Sequence, residues 1–184
     1  MRRWDHMVDF SISRIEELRL TIDMEKAIAD LLASSFKADF GGRSFKQNRH
    51  HVRFVAMVGD SLVGHLALCF RAIQMGGRRV DLIGIGEVAV DGNHQKQGIG
   101  SSLVQAALDE GVAARADFAA LFGEQSIYEQ AGFVPASNLL TIFELEGAKT
   151  GWTVREQNPY FRIKPLGDLA WDFDSPVDLA GFAF

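Results

Sequence analysis

The sequence predicts a mixed α/β or α+β fold built around a central sheet. Short apolar runs with the two-residue period of strands alternate along the chain with longer patterns of helical period. The 184 residues are 47% hydrophobic and 23% charged, which is typical of a globular protein and not of a disordered or fibrous one. No repeat or linker divides the sequence, so we expect one domain over residues 1–184.

The N-terminal part is predicted to hold one strand and one helix. Residues 14–22 alternate polar and apolar side chains, which favours a half-buried strand. Asp23 is placed to cap a helix over residues 25–36, whose apolar side chains recur on one face. We expect the basic residues that follow, between positions 43 and 53, to form a solvated loop.

The middle of the chain has the pattern of an antiparallel meander followed by a helix. Gly59-Asp60-Ser61 and Gly76-Gly77 separate three apolar runs, as hairpin turns separate strands. An amphipathic helix is expected after them. The predicted elements are strands at 52–58, 62–70 and 80–90, a helix at 98–114, a strand at 117–122, a helix at 126–131, and strands at 139–145 and near 160–163.

The loop between the third of these strands and the long helix carries the strongest local motif. Gly98 and Gly100 allow a backbone whose amide groups converge on one anion, and the following helix adds its positive N-terminal end. A plain turn at the start of the helix is the alternative. We interpret the segment as a pyrophosphate-binding loop formed by Gln95, Lys96, Gln97, Gly98, Ile99, Gly100 and Ser101.

A second glycine pattern, Gly84-Ile85-Gly86-Glu87-Val88-Ala89, fits the dinucleotide-binding fingerprint G-x-G-x-x-A. That fingerprint requires a helix to begin directly after a strand. Here Val88 and Val90 continue the strand instead, so we expect no nicotinamide- or flavin-binding fold. The sequence also lacks a P-loop and a G-x-S-x-G nucleophile motif.

Three segments in order resemble the GCN5-related N-acetyltransferase (GNAT) superfamily. They are Glu87-Val88-Ala89-Val90, then Gln95-Lys96-Gln97-Gly98-Ile99-Gly100 with the family's Q/R-x-x-G-x-G/A pattern, then Ile127-Tyr128-Glu129-Gln130-Ala131-Gly132-Phe133. They place a coenzyme-binding core within residues 50–135. The resemblance implies a mixed, twisted sheet that is splayed between its fourth and fifth strands, where acetyl-CoA enters.

The resemblance also implies roles for single residues. The backbone of Val88, Ala89 and Val90 would pair with the pantetheine arm as an added strand pairs with a sheet edge. Gly86 or Glu87 would lie at a bulge in the strand. The amides from Gln97 to Ser101 would hold the pyrophosphate, and Tyr128 would point at the sulfur.

The expected chemistry is attack of a neutral amine on the thioester. Glu87 is the candidate base, since burial in an apolar strand would raise its pKa. Tyr128 is the candidate acid for the departing thiolate. The structural alternatives are a Glu87 carboxylate paired with an arginine and a Tyr128 ring packed in the core.

The acceptor amine is less defined by the sequence. Weaker similarities to aminoglycoside 2'-N-acetyltransferases and to nodulation N-acyltransferases imply an amine on a sugar. The C-terminal segment 165–184 would attract a polycation if it folded over the cleft, and a solvated acidic surface anchored by Trp171 and Phe173 is the alternative. Its acidic residues are Asp168, Asp172, Asp174 and Asp178.

The sequence therefore predicts an N-acetyltransferase that moves the acetyl group of acetyl-CoA to a primary amine of a small molecule in a ternary complex. A coenzyme A-binding or partner-binding module without turnover, and a protein or peptide N-acetyltransferase, remain as alternatives. A net charge of −5 disfavours nucleic-acid binding, and no apolar run is long enough to span a membrane. With one cysteine, Cys69, and scattered histidines, we expect no metal site. We also expect a cytoplasmic location. The resemblance is compatible with a homodimer.

Overall fold

A computed structural model describes residues 9–146 and 149–184. Within these ranges, ten strands form one mixed sheet, and three α-helices pack against its faces. The helices are α1 (Ile22–Ser35), α2 (Ile99–Ala113) and α3 (Ser126–Gln130). The strands are β1 (Ser11–Glu16), β2 (Val52–Val58), β3 (Ser61–Met75), β4 (Arg78–Val90), β5 (Phe118–Phe122), β6 (Val134–Pro135), β7 (Leu140–Glu146), β8 (Lys149–Glu156), β9 (Phe161–Pro165) and β10 (Val177–Asp178).

The long hairpin of β3 and β4 forms the centre of the sheet. The strand order is β6-β9-β5-β4-β3-β10-β7-β8. Strand β10 pairs with the C-terminal end of β3, and β2, followed by β1, pairs with the N-terminal part of the same edge. Most neighbours are antiparallel, whereas β4–β5 and β10–β7 are parallel. The α2 crossover between β4 and β5 is the kind of connection that a parallel pair needs.

The sheet opens between β4 and β5. These strands pair only over Leu82–Ile85 and Phe118–Leu121, and the last five residues of β4 have no strand partner on that edge. The predicted splay between the fourth and fifth strands is therefore confirmed. The free edge leaves backbone amide and carbonyl groups available to a ligand.

The two faces of the sheet have different covers. Helix α2 buries Leu103, Val104 and Ala107 against one face. On the other face, α1 packs through Ile28 and Leu32 near the β2 side, while the C-terminal segment packs beside β4 and β5. This second face is where the cleft forms. No helix of the part described is long and apolar enough to cross a membrane.

The prediction of a strand over residues 14–22 is wrong at its C-terminal end. Strand β1 stops at Glu16, and Leu18 and Ile22 are 97% and 86% exposed, so the alternation continues without burial. Helix α1 begins at Ile22 because the Thr21 hydroxyl accepts a hydrogen bond from the Met24 amide at 3.3 Å. Thr21, and not Asp23, is thus the N-cap.

Candidate active site

The loop from Gln95 to Ser101 has the backbone of an anion-binding site. Lys96 and Gly98 both adopt left-handed conformations, with φ of 60° and 84°, and Gly98 is the N-cap of α2 without a side-chain cap. The Ser102 amide is already bonded to the Gly98 carbonyl, which leaves the amides of Ile99, Gly100 and Ser101 for a ligand. At Gly98 a side-chain carbon would meet no protein atom within 4 Å, so the space beside this residue is open.

Residues Val88, Ala89 and Val90 lie on the unpaired edge of β4. Their other edge is occupied, since Ala89 and Val90 pair with His65 and Gly64 of β3. The edge toward β5 has no strand partner after Ile85. This is the geometry that β-strand addition by an extended ligand requires.

Glu87 lies at a bulge in β4. The register with β3 shifts between His65 and Ala67, so that two residues of β4, Glu87 and Val88, face one residue of β3. Glu87 has a φ of 53°, in the left-handed region. The bulge predicted at Gly86 or Glu87 is present, and it turns the Glu87 side chain toward the cleft.

The Glu87 carboxylate accepts two hydrogen bonds and lies against the His50 ring. One oxygen accepts the Lys46 amide at 2.9 Å, and the other lies 3.2 Å from an Arg53 nitrogen and 3.1 Å from His50 Nε2. Burial by itself would raise the pKa of Glu87, but His50, the Lys46 amide and Arg53 together lower it below its usual range. The expectation of a raised pKa is therefore wrong, and Glu87 is an ionised carboxylate paired with an arginine.

His50 lies between Glu87 and the lone cysteine. Its Nδ1 is 3.3 Å from Cys69 Sγ, and its Nε2 faces Glu87 without the alignment of a hydrogen bond. Burial lowers the pKa of His50, but the contacts with Cys69 and Glu87 outweigh it and raise the pKa to about 9. Cys69 is buried, as predicted.

Arg53 and His65 support the bulge from behind. The buried Arg53 guanidinium donates to Glu17 and to the Ser44 carbonyl, and it lies 3.2 Å from His65 Nε2. His65 Nδ1 is 2.9 Å from the Glu87 carbonyl oxygen. Burial and the Arg53 charge lower the pKa of His65 to about 3, so its ring is neutral and donates from Nδ1 to that carbonyl. The predicted core role of His65 is confirmed.

Tyr128 belongs to both the core and the cleft. Its ring packs edge-on against Phe133, with ring centroids 6.3 Å apart, and lies close to Gly123. Burial raises the pKa of Tyr128 to about 12, so the phenol stays protonated at neutral pH. Within the described residues its hydroxyl has no protein partner, and the side chain lines the same cavity as Glu87.

The cleft is a cavity of about 230 Å³ between the splayed strands, the segment that follows α1 and the C-terminal segment. Lys46, Gln47, Asn48 and His50 contribute its polar lining together with Glu87. The rest is apolar and largely aromatic. We define the aromatic wall as Phe36, Phe40, Phe122, Phe182 and Phe184.

The C-terminal segment covers the cleft with aromatic residues and not with its aspartates. Phe182, Ala183 and Phe184 line the cavity, and none of the four aspartates does. Asp172 instead accepts hydrogen bonds from the Asp174 and Ser175 amides, and Asp178 from the Ala180 amide. Trp171 anchors the segment, since it is buried and donates to Asn138 at 2.9 Å. Phe173 is 48% exposed and does not take part in that anchoring.

Sequence reasoning missed the residues that surround Glu87. The loop expected to be solvated contains His50, which is buried, and it leads into Arg53, whose side chain has no exposed surface. Arg53 could have been singled out, because a charged residue inside an apolar strand requires a buried partner. Phe184 had no comparable signal, since its contacts are with residues distant in sequence.

An anion-binding loop beside the open edge of a split sheet is the arrangement of an acyl-coenzyme A-dependent N-acyltransferase. A family model described as an acetyltransferase (GNAT) domain matches residues 18–136. That match covers more than half of the chain, and the protein belongs to the GNAT family of acetyltransferases.

Solved structures of GNAT proteins share the fold at low sequence identity. The N-acetyltransferase YhbS from Escherichia coli, in complex with CoA, is 21% identical, with a TM-score of 0.65 over 94% of this chain and 90% of that one. An acetyltransferase from Brucella melitensis in complex with acetyl-CoA is 19% identical, with a TM-score of 0.50 over 92% and 96%.

A third structure shows the same domain within a larger protein. A GCN5-related N-acetyltransferase from Kribbella flavida is 22% identical, with a TM-score of 0.54 over 70% of this chain. The chain spans 34% of the length of that protein. At these identities the structural matches establish the fold.

Proposed function

We propose that the protein transfers the acetyl group of acetyl-CoA to a primary amine of a small molecule by direct attack in a ternary complex. The observation that carries this proposal is the juxtaposition of the free β4 edge, the α2 amides and a cavity lined by both Glu87 and Tyr128. A thioester laid along the edge would present its carbonyl between these two side chains.

The coenzyme would be held mainly by backbone groups. The amides of Ile99, Gly100 and Ser101 bind the pyrophosphate, with Gln95, Lys96, Gln97 and Gly98 shaping the loop around it. The buried Gln97 Oε1 has no partner among the described residues, although Gln97 Nε2 is bonded to the Asn93 carbonyl. The edge of Val88, Ala89 and Val90 pairs with the pantetheine amides.

The chemical step transfers one acetyl group and one proton. The amine nitrogen attacks the thioester carbonyl carbon, and an amide near Val88 stabilises the oxyanion. As the C–N bond forms, the nitrogen becomes strongly acidic, so a carboxylate with a low pKa can still accept its proton, directly or through one water. The C–S bond then breaks and the thiolate receives a proton from Tyr128, whose phenolate regains one from the protonated Glu87 through water, so that both side chains return to their starting states.

Thiol release from acetyl-CoA in the presence of amines tests the proposal. The panel contains amino sugars, aminoglycosides, polyamines, amino acids, aryl-alkyl amines and short peptides, and calorimetry measures acetyl-CoA binding in the same samples. Amine-dependent release above the hydrolysis background is the expected result. Tight binding without release for any amine would overturn catalysis and favour a coenzyme A-binding module.

The binding module is a second candidate because Glu87 is already paired. A carboxylate that faces both Arg53 and His50 is a weaker base than a free one.

The C-terminal segment also bears on the size of the acceptor, because Phe182 and Phe184 close one side of the cavity. That closure favours a small molecule over a peptide.

A further inference from the structure

Two glycines of β4 make room for Phe184 in the cleft. A side-chain carbon on Gly84 would collide with the Phe184 ring, and one on Gly86 would lie 2.7 Å from the Phe184 carbonyl carbon. The glycines of the G-x-G-x-x-A pattern, Gly84 and Gly86, therefore have a different structural role here. They form a notch in the sheet that an aromatic residue from the C-terminal segment fills.

Arg71 of β3 fixes this segment in place. Its guanidinium donates to the Leu179 carbonyl at 3.2 Å and to the Phe182 carbonyl at 2.8 Å. It also lies 4.7 Å and 5.0 Å from the ring centroids of Phe182 and Phe184. Phe184 further packs against Phe122 of β5, with centroids 6.0 Å apart. The ring positions are thus set by the sheet.

The charges in the cavity do not suit a polycation. Of the described side chains that line it, Glu87 alone carries a carboxylate, whereas Lys46 and His50 are basic. Arg53 adds a positive charge directly behind Glu87. One carboxylate can attract one ammonium group, but further positive charges on the same molecule would meet Lys46 and His50.

The size of the cavity also limits the acceptor. Its volume of about 230 Å³ is below the range of roughly 300–1,000 Å³ that drug-sized ligands occupy. The acetyl end of the coenzyme takes part of this space. A single ring with a short amine arm fits what remains, and a molecule of several sugar rings does not.

We infer that the acceptor is a small aryl-alkyl primary amine whose ring stacks on the aromatic wall at Phe184 while its nitrogen faces Glu87. This inference rests on the proposed function and specifies its substrate class. Aromatic rings pack favourably on one another at centroid separations of about 4.5–7 Å, and burying a phenyl group removes apolar surface from water, which favours binding.

The first test compares amines that differ in ring and charge. We expect kcat/KM for 2-phenylethylamine to exceed that for ethylamine and for spermidine at least about tenfold, because only the first gains ring burial with a single charge. Equal values for ethylamine, or a preference for spermidine or kanamycin, would overturn the acceptor class and leave the transferase function intact.

Variants of the wall locate the specificity. Phe184→Ala should raise KM for 2-phenylethylamine about tenfold and leave KM for acetyl-CoA unchanged, while Phe184→Leu, which keeps apolar volume, should have a smaller effect. Gly84→Ala should act like Phe184→Ala, since it displaces the same ring. Phe173→Ala is the matched control, because Phe173 is an exposed aromatic residue of the same segment outside the cavity. Unchanged KM values in both Phe184→Ala and Gly84→Ala would overturn the assignment.

Calorimetry of 2-phenylethylamine with CoA-saturated protein gives a reading that does not depend on turnover. If the protein binds 2-phenylethylamine and Phe184→Ala weakens that binding, the aromatic wall is the binding site of the ring. If no amine then releases thiol, only the proposed function is overturned. No binding to the wild-type protein would overturn the inference. Thermal melts of each variant show whether a loss of binding reflects unfolding.

Discussion

Glu87 combines a strained backbone with a carboxylate that contacts the Lys46 amide, Arg53 and His50. Its left-handed φ of 53° is a conformation that costs a residue other than glycine on the order of 1 kcal/mol. The His65 ring donates to its carbonyl oxygen, and Arg53 and His50 each contact its carboxylate. The strain places a charged side chain at the mouth of the split in the sheet.

The Tyr128 hydroxyl can be tested by its removal. We expect Tyr128→Phe to lower kcat by ~10²-fold, because the leaving thiolate loses its proton donor. The fold should not change, since the ring contacts are kept. Steady-state kinetics with acetyl-CoA measures the effect, and Tyr160→Phe, at an exposed tyrosine, is the control. An unchanged kcat would remove Tyr128 from the mechanism.

His50 makes stability depend on pH in the alkaline range. The pKa of its imidazole is about 9 in the folded protein and about 6.5 in an unfolded chain. The charged form therefore stabilises the fold fully below pH 6.5, and this contribution is lost as the pH rises through about 9.

The measurement is urea unfolding of the wild type and of His50→Gln between pH 6 and 10. The difference in unfolding free energy between the two proteins should shrink by on the order of 3 kcal/mol across this range, because the two pKa values lie about 2.5 apart. A constant difference would show that His50 is not charged in the folded state.

At the scale of elements, the loop before α2 carries the binding prediction. Gly98→Asp should weaken acetyl-CoA binding by at least about tenfold, because it brings a carboxylate to the anion site and imposes a side chain on a φ of 84°. Gly77→Asp is the control, since Gly77 has open space around it at the opposite end of β4. Calorimetry reports affinity, and a thermal melt reports folding. Undiminished affinity in a folded Gly98→Asp protein would mean that the pyrophosphate binds elsewhere.

Local pattern was sufficient to predict most elements and the glycine turn at the start of α2. The β2–β3–β4 meander and α2 follow from hairpin turns and hydrophobic periods that neighbouring residues set, whereas the splay at β5 was expected only from the family resemblance. The N-terminal strand failed for the same reason, because an alternating pattern continued past Glu16, where pairing with β2 ends. The hairpin partner β8 was also not predicted, and its side chains are largely exposed.

The environment of Glu87 could not be predicted from local pattern. Arg53 reaches Glu17 and Glu87 across 36 and 34 residues, and Arg71 reaches Phe182 across 111. Only the folded sheet brings such groups together. The pKa of Glu87 depends on these neighbours, which is why an argument from strand burial alone had the wrong sign.

For the whole molecule, Arg53 joins segments that are far apart in the chain. Its side chain has no exposed surface and connects Glu17, the Ser44 loop, β3 and the β4 bulge. We expect Arg53→Met to lower the unfolding free energy by about 3–5 kcal/mol, because two carboxylates lose their buried counter-charge. Urea denaturation measures this loss.

Arg14→Met provides the comparison for a surface ion pair. Arg14 is 40% exposed in its contact with Glu110, and its removal should cost about 0–1 kcal/mol. Adding Glu17→Gln to Arg53→Met should recover part of the stability. A loss of less than about 1 kcal/mol in Arg53→Met would show that Arg53 is not essential to the fold.

The bulge at Glu87 shifts the phase of β4 by half a period. Before it, Ile83 and Ile85 point to the α2 face and Gly84 and Gly86 to the cleft face; after it, Val88 and Val90 point to α2 and Ala89 to α1. The even positions thus change sides within one continuous strand. Deleting Glu87 would remove the bulge and restore simple alternation, in which Val88 and Val90 would still point to α2 and Ala89 to α1. The extra residue therefore adds one side chain to the cleft face while every side chain beyond it keeps its side of the sheet.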